Sequence, residues 1–317
     1  MDYRTLGASK LLVSSVGLGC NNFGVRCDFD ETRAVVHRAL DHGITLFDTA
    51  DSYGRRGGSE TLLGDILGPR RSDIVLATKF GSAMDDEGRL KGASRRYIMS
   101  AVEASLRRLR TDWIDLYQLH HPDPSVPIEE TLRALDDLVS QGKIRLIGCS
   151  NFSAAQLTQA HATALRCHLH PFVSAQNEYS VLRRGVEREA IPAMRASGMG
   201  LLPYFPLASG LLTGKYRRDA IPAGTRLATP RPHEAKFQTE ANWALIEMLD
   251  SYCGERGRSL LALAFSWLLS EPVVSSVIAG ATKPEQVEQN AAAARWILTP
   301  AERTDIDRIC ELCRSPA

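Results

Sequence analysis

The sequence has no strongly basic run, and its 38 Lys and Arg are balanced by 37 Asp and Glu, for a formal net charge of +1. Nucleic-acid phosphates are held by clustered cations, so nucleic acid is not expected as the main partner. No apolar run reaches the roughly 18–20 residues needed to span a bilayer. The opening stretch MDYRTLGASK lacks the apolar centre of a secretion signal. A cytoplasmic setting without a membrane partner is therefore expected. The seven cysteines are an odd number spread over 317 residues, which suits reduced thiols. Cys310 and Cys313 have the spacing of a redox pair, but they lie in a helical pattern without a βαβ context, and a structural role is expected. His161, His168 and His170 have no accompanying carboxylate motif, so no metal is expected. Trp243 and Trp267 fall in amphipathic stretches as packing residues.

What is present is a repeating alternation. Short aliphatic runs predict strands at 13–19, 44–47, 74–78, 115–119, 143–149, 172–176, 199–204 and 274–279. Longer amphipathic stretches between them predict helices at 30–42, 59–67, 94–109, 127–140, 153–165, 186–197 and 284–294. Asp30 and Thr32 are available as caps for the first helix. Strands that are apolar throughout indicate a parallel sheet buried on both faces. Eight strand–helix units close into an α/β fold of the (β/α)₈ TIM-barrel type, a single domain over residues 1–317. An open doubly wound sheet is the alternative. It usually carries Gly-x-Gly-x-x-Gly after its first strand, and here Gly17 and Gly19 lack the third glycine. Residues 209–238 keep no period and predict a loop covering cofactor or substrate. Helices are expected at 239–256 and 259–270, and an extra C-terminal helix at 300–313.

In such a barrel the C-terminal strand ends share one mouth. Asp48, Lys79 and His120 each follow an aliphatic run, and Tyr53 lies one loop beyond Asp48. These four can protonate a carbonyl oxygen as hydride reaches its carbon. Lys79 as an ammonium would lower the Tyr53 pKa, and Asp48 would hold Lys79 charged. His120 would donate a hydrogen bond where negative charge develops, and Tyr53 would deliver the proton. Each also has a plainer role: Asp48 as a loop cap, Tyr53 as a half-buried aromatic, His120 or His121 as a structural histidine.

The stretches GITLFDTADSYG, LATKFG and DLYQLHHPDP resemble motifs of the aldo-keto reductase superfamily, and the resemblance runs from Leu6 to about Asn290. GLLTGKY is similar to the branch of bacterial general reductases and potassium-channel β-subunits. The resemblance implies Tyr53 as proton donor, a tetrad completed by Asp48, Lys79 and His120, and an extended NADPH (NADP⁺), with NADH left open. It implies that Ser150, Asn151 and Gln176 meet the nicotinamide carboxamide and that Tyr204 stacks on the ring. Leu207, Ala208 and Lys215 would cover the pyrophosphate, with Cys20 and Asn21 near the reactive end beside Asp48.

AGATKPEQVEQN would take the adenosine end. Gly280 lets backbone approach phosphate, and Thr282 with the helix start after Pro284 makes an anion site. Lys283 can neutralise a 2′-phosphate. Gln286 and Asn290, four apart, can reach ribose and adenine. The pocket for a small-molecule carbonyl substrate would draw on Phe23, Phe80, the loop after His121, residues 84–91 and residues 217–238. The leading expectation is an NADPH-dependent reductase of aldehydes and ketones. A nucleotide-sensing regulatory subunit is a second class, and a metal-dependent hydrolase on the same barrel a third. Substrate, direction and oligomeric state are not encoded legibly.

Overall fold

Inward and outward residues alternate along each strand, and this parity builds the mouth. The computed structural model describes residues 1–230 and 235–312. Strands β3 (Val16–Gly19), β4 (Leu46–Asp48), β5 (Val75–Phe80), β6 (Ile114–Leu119), β7 (Ile144–Ser150), β8 (Ser174–Gln176), β9 (Gly200–Leu201) and β10 (Val277–Gly280) form one parallel sheet. The sheet order is β10-β3-β4-β5-β6-β7-β8-β9. A bridge between Leu201 and Val274 joins the two edges. Leu201 N–H donates to Val273 O at 2.7 Å, and Ser275 N–H donates to Leu201 O at 3.0 Å. The architecture is the expected (β/α)₈ barrel.

Leu46, Val75, Ala77, Leu116, Leu202 and Ile278 form an apolar cluster inside the barrel. Phe47, Leu76, Tyr117 and Leu119 belong to the larger outer core against the helices. Two residues above the inward layer come Asp48, Lys79 and Gln118, followed by His120. The interior thus changes from apolar to polar at the C-terminal strand ends.

The predicted first strand, 13–19, is two strands. β1 (Tyr3–Thr5) pairs antiparallel with β2 (Leu12–Ser14), and only β3 enters the barrel. Leu6 and Val13, fully buried, extend the interior apolar cluster and plug the barrel floor. The hairpin comes so close that a Cβ on Gly7 (φ +55°) would stand 2.4 Å from Val173 O.

Helices α1 (Phe29–Asp41), α2 (Tyr53–Leu67), α3 (Arg95–Leu109), α4 (Ile128–Ser140), α5 (Ala154–Arg166) and α6 (Ala190–Ala196) follow in turn. The α1 cap is Asp28, in a capping box with Glu31, rather than Asp30 or Thr32. Those two residues already lie inside the helix. The predicted helix at 186–197 is a 3₁₀ turn, Gly185–Glu187, then α6. Its charged start, with Arg188 and Glu189, has no apolar stripe to bury. Ala208–Thr213 forms a 3₁₀ segment at the start of the predicted loop, while its residues 231–234 lie outside the described residues. Helices α7 (Glu240–Gly254), α8 (Leu260–Leu269) and α9 (Pro284–Ala293) come next, then α10 (Pro300–Leu312). Trp267 anchors α10. Its indole N–H donates to Asp307 at 2.9 Å, and Arg184 and Arg303 lie over its ring. Cys310 is buried, and Cys313 lies outside the described residues. Among the described residues no helix is long and apolar enough to cross a membrane.

Candidate active site

Asp48 ends β4 facing inward and gathers three strands. Its Oδ2 accepts from Lys79 Nζ of β5 at 2.7 Å. Its Oδ1 accepts from Gln118 Nε2 of β6 at 3.2 Å and from Gln176 Nε2 of β8 at 3.0 Å. Lys79 is fully buried, and its ammonium also donates to Thr49 O at 2.9 Å. Burial alone would discharge Lys79, but Asp48 and Tyr53 outweigh it and raise its pKa. The ammonium is therefore held charged.

Lys79 Nζ lies 5.0 Å from the Tyr53 ring centroid. The Tyr53 and His120 rings meet edge to face, with centroids 5.8 Å apart. Burial raises the Tyr53 pKa by more than Lys79 lowers it, and Asp48 adds to the rise. The ammonium pulls the value down as expected, against the larger effect of desolvation. The His120 pKa is pushed down to about 2 by burial, then by the Lys79 and His121 charges. Its imidazole is neutral at physiological pH. Ser82 Oγ lies 3.1 Å from His120 Nδ1. His121 stacks parallel on His120 at 4.8 Å.

Tyr53 opens onto an unusual turn. Residues 54–57 all have positive φ, at 68°, 61°, 70° and 110°. Two of them, Arg55 and Arg56, carry side chains, for which the left-handed conformation costs roughly 1–2 kcal/mol each.

A cleft of about 1100 Å³ runs from Asp48, Tyr53 and His120 past Ser150, Asn151, Gln176 and Tyr204 to Leu207, Lys215, Gly280, Thr282, Lys283, Gln286 and Asn290. Asn21 lines it as well. Cys20, Lys79 and Ala208 are fully buried and sit behind this wall. Phe23 and Phe80 are also fully buried. Phe80 stacks on Tyr117 at 4.7 Å, so neither aromatic faces substrate as expected.

Several expected ligand contacts are occupied by internal bonds. Asn151 Nδ2 donates to His120 O at 3.0 Å, and Tyr204 OH donates to Asn151 Oδ1 at 2.7 Å. Ser150 Oγ donates to Gln176 O at 2.8 Å. Gln286 Oε1 accepts from Thr282 N–H at 2.8 Å and takes one of the amides expected to meet phosphate.

Gln118 went unnoticed in the sequence, although a lone amide two residues before His120 had the inward parity. Asn22, Arg26 and Arg226 line the cleft too, and Arg226 donates to Asn22 Oδ1 at 3.2 Å across it. Their loops carry no periodic signal. Of the unassigned histidines, His170 pairs with Asp136 at 2.6 Å.

An elongated cleft suits a dinucleotide. Polar amides lie at the tetrad end, and Arg26, Lys215, Arg226 and Lys283 contribute cations along it. A Cβ at Gly280 would stand 3.1 Å from Asn22 Nδ2, so backbone stays close to the cleft there. Barrel and cleft together suit an oxidoreductase that works with a nicotinamide cofactor on carbonyl compounds. A sequence profile of the Aldo/keto reductase family matches residues 15–311, and the chain belongs to that family. It is 38% identical to a probable voltage-gated potassium channel subunit beta of Arabidopsis thaliana, over 98% of this chain and 97% of that one. It is 36% identical to aldo-keto reductase YhdN of Bacillus subtilis, over 98% and 94%. It is 34% identical to L-glyceraldehyde 3-phosphate reductase of Escherichia coli K12, over 92% and 87%.

Proposed function

We propose that the chain reduces aldehydes and ketones to alcohols with NADPH, with Tyr53 as the general acid. One observation carries this reading: a buried, charged Lys79, fixed between Asp48 Oδ2 and Thr49 O, faces the Tyr53 ring. The nicotinamide, when bound, supplies hydride to the carbonyl carbon. The phenol is protonated at neutral pH, and desolvation holds its pKa up. Tyr53 then gives up its proton, and Lys79 stabilises the phenolate left behind. His120 stays neutral. With the Ser82 hydroxyl donating to Nδ1, its proton sits on Nε2, where it can donate to the same oxygen.

Gln176, Ser150 and Asn151 suit a carboxamide, and Tyr204 suits a ring face. Asn151 must then loosen one internal bond or act by fixing Tyr204 and His120. Lys283 favours a 2′-phosphate and hence NADPH over NADH. The six cysteines among the described residues are all free thiols, which suits a cytosolic setting.

Tyr53→Phe tests the reading. NADPH binding, followed by fluorescence, should persist while turnover of an aldehyde panel falls by about a hundredfold or more. Unchanged turnover would remove Tyr53 from the mechanism. The similarity to a channel subunit supports a second reading, a cofactor sensor. Tight NADPH binding without consumption across the panel would favour it.

A further inference from the structure

Behind the tetrad, on the outer side of the barrel wall, lies a second polar layer that the chemistry above does not use. Thr78 faces outward between Ala77 and Lys79, and its hydroxyl donates to Glu60 Oε1 at 2.6 Å. Glu60 is fully buried, and its Oε2 accepts from Arg108 Nε at 2.7 Å. Arg108 comes from α3, and its guanidinium also donates to Ser105 Oγ at 3.2 Å.

The stem of Arg108 bears on the turn that follows Tyr53. A Cβ added at Gly57 (φ +110°) would stand 2.6 Å from Arg108 Cδ and 2.8 Å from Nε. At the other end of the turn, a Cβ at Gly54 would meet Ser59 N at 2.3 Å and Phe23 O at 2.8 Å. Between them Arg55 and Arg56 hold a conformation that L-residues rarely adopt. Such a backbone persists where tertiary contacts over-determine it. The Arg108 side chain supplies one of those contacts, and the buried Glu60 carboxylate fixes that side chain. The phenol of Tyr53 leaves the backbone immediately before the turn, so its aim depends on the turn being formed.

We propose that Arg108 is a positioning residue for the reaction: closed on Glu60 and pressed against Gly57, it selects the left-handed turn that aims the Tyr53 phenol. It touches neither substrate nor cofactor. The proposal rests on Tyr53 being the proton donor, and it adds a determinant on a different helix.

The test is a panel of variants with two readouts, kcat and NADPH affinity by fluorescence. Arg108→Met should lower kcat tenfold or more while NADPH affinity changes less than twofold. Arg108→Lys, which keeps stem and charge, should give an intermediate kcat. Gly57→Ala should also lower kcat. Should Arg108→Met fail to fold with Glu60 left unpaired, Glu60→Gln/Arg108→Met removes both charges and should show the same selective loss of kcat. A folded Arg108→Met or double variant with kcat within twofold of the parent would overturn the proposal. So would an equal loss of kcat and NADPH affinity. Tyr53→Phe in the same panel separates the two ideas: full turnover there would overturn the assignment of Tyr53 itself.

Discussion

Two groups at the barrel mouth, Asp51 after β4 and His120 after β6, should give this protein opposing pH dependences that nearly cancel. His120 has its pKa pushed down to about 2, mainly by burial. Unfolded, it takes up a proton near its ordinary pKa of about 6.5. Below that pH the unfolded chain binds one more proton than the native one, so His120 makes stability fall as pH falls. The loss accrues from about pH 6.5 down towards pH 2. Asp51 behaves in the opposite sense. Burial, then repulsion from Glu60, raises its pKa to about 7, against the pull of Arg108. Its Oδ1 has no hydrogen-bond partner, and its Oδ2 lies 3.5 Å from the Tyr97 hydroxyl. Between about pH 4 and pH 7 the native chain holds a proton that the unfolded chain has released, so Asp51 makes stability rise as pH falls. One proton difference corresponds to about 1.4 kcal/mol per pH unit. From pH 6 to pH 5 both groups act, with opposite signs.

The assay is urea unfolding of the parent, His120→Asn and Asp51→Asn at pH 6 and pH 5. Relative to the parent, His120→Asn should gain about 1 kcal/mol on that step, because only the Asp51 contribution remains. Asp51→Asn should lose about 1 kcal/mol on the same step. Identical pH dependence in all three proteins would refute the reasoning. So would the two variants moving in the same direction.

Lys79→Met should destabilise the fold by about 3–5 kcal/mol, because the Asp48 carboxylate stays buried with only the Gln118 and Gln176 amides. Asp48→Asn/Lys79→Met should recover part of that in urea unfolding and stay inactive. Lys283→Ala should raise KM for NADPH by about tenfold, a loss of about 1.4 kcal/mol, and leave KM for NADH unchanged in steady-state kinetics. Ser153→Ala removes the α5 cap and should lower thermal stability by about 1 kcal/mol with turnover intact.

The barrel was legible because its strands are short, mostly apolar and separated by amphipathic stretches. Asp48, Lys79 and His120 were legible because each ends an apolar run, where a polar residue needs a reason. Less legible was what depends on parity and tertiary contact. Gln118 sits inside an apolar strand and becomes visible only once inward and outward faces are assigned. The split of the first strand falls at Ser14 and Ser15, two small buried residues that carry no Gly or Pro turn signal. The balance at Tyr53 was hidden too, because sequence reveals the neighbouring ammonium and not the desolvation that opposes it. Phe23 and Phe80 look like pocket walls beside catalytic residues, yet each faces the helices.

The barrel closes through a narrow clasp. β9 has two residues, and Leu201, bridged to Val274, shares the seam with one further bond, from Ile278 N–H to Pro203 O. The chain between these points carries Tyr204, Lys215 and Arg226 over the mouth. Its ends are pinned by a handful of hydrogen bonds, so its length and content are not tied to the register of the other seven strands. The cover of the mouth can be rebuilt while the wall that holds the reacting groups stays as it is.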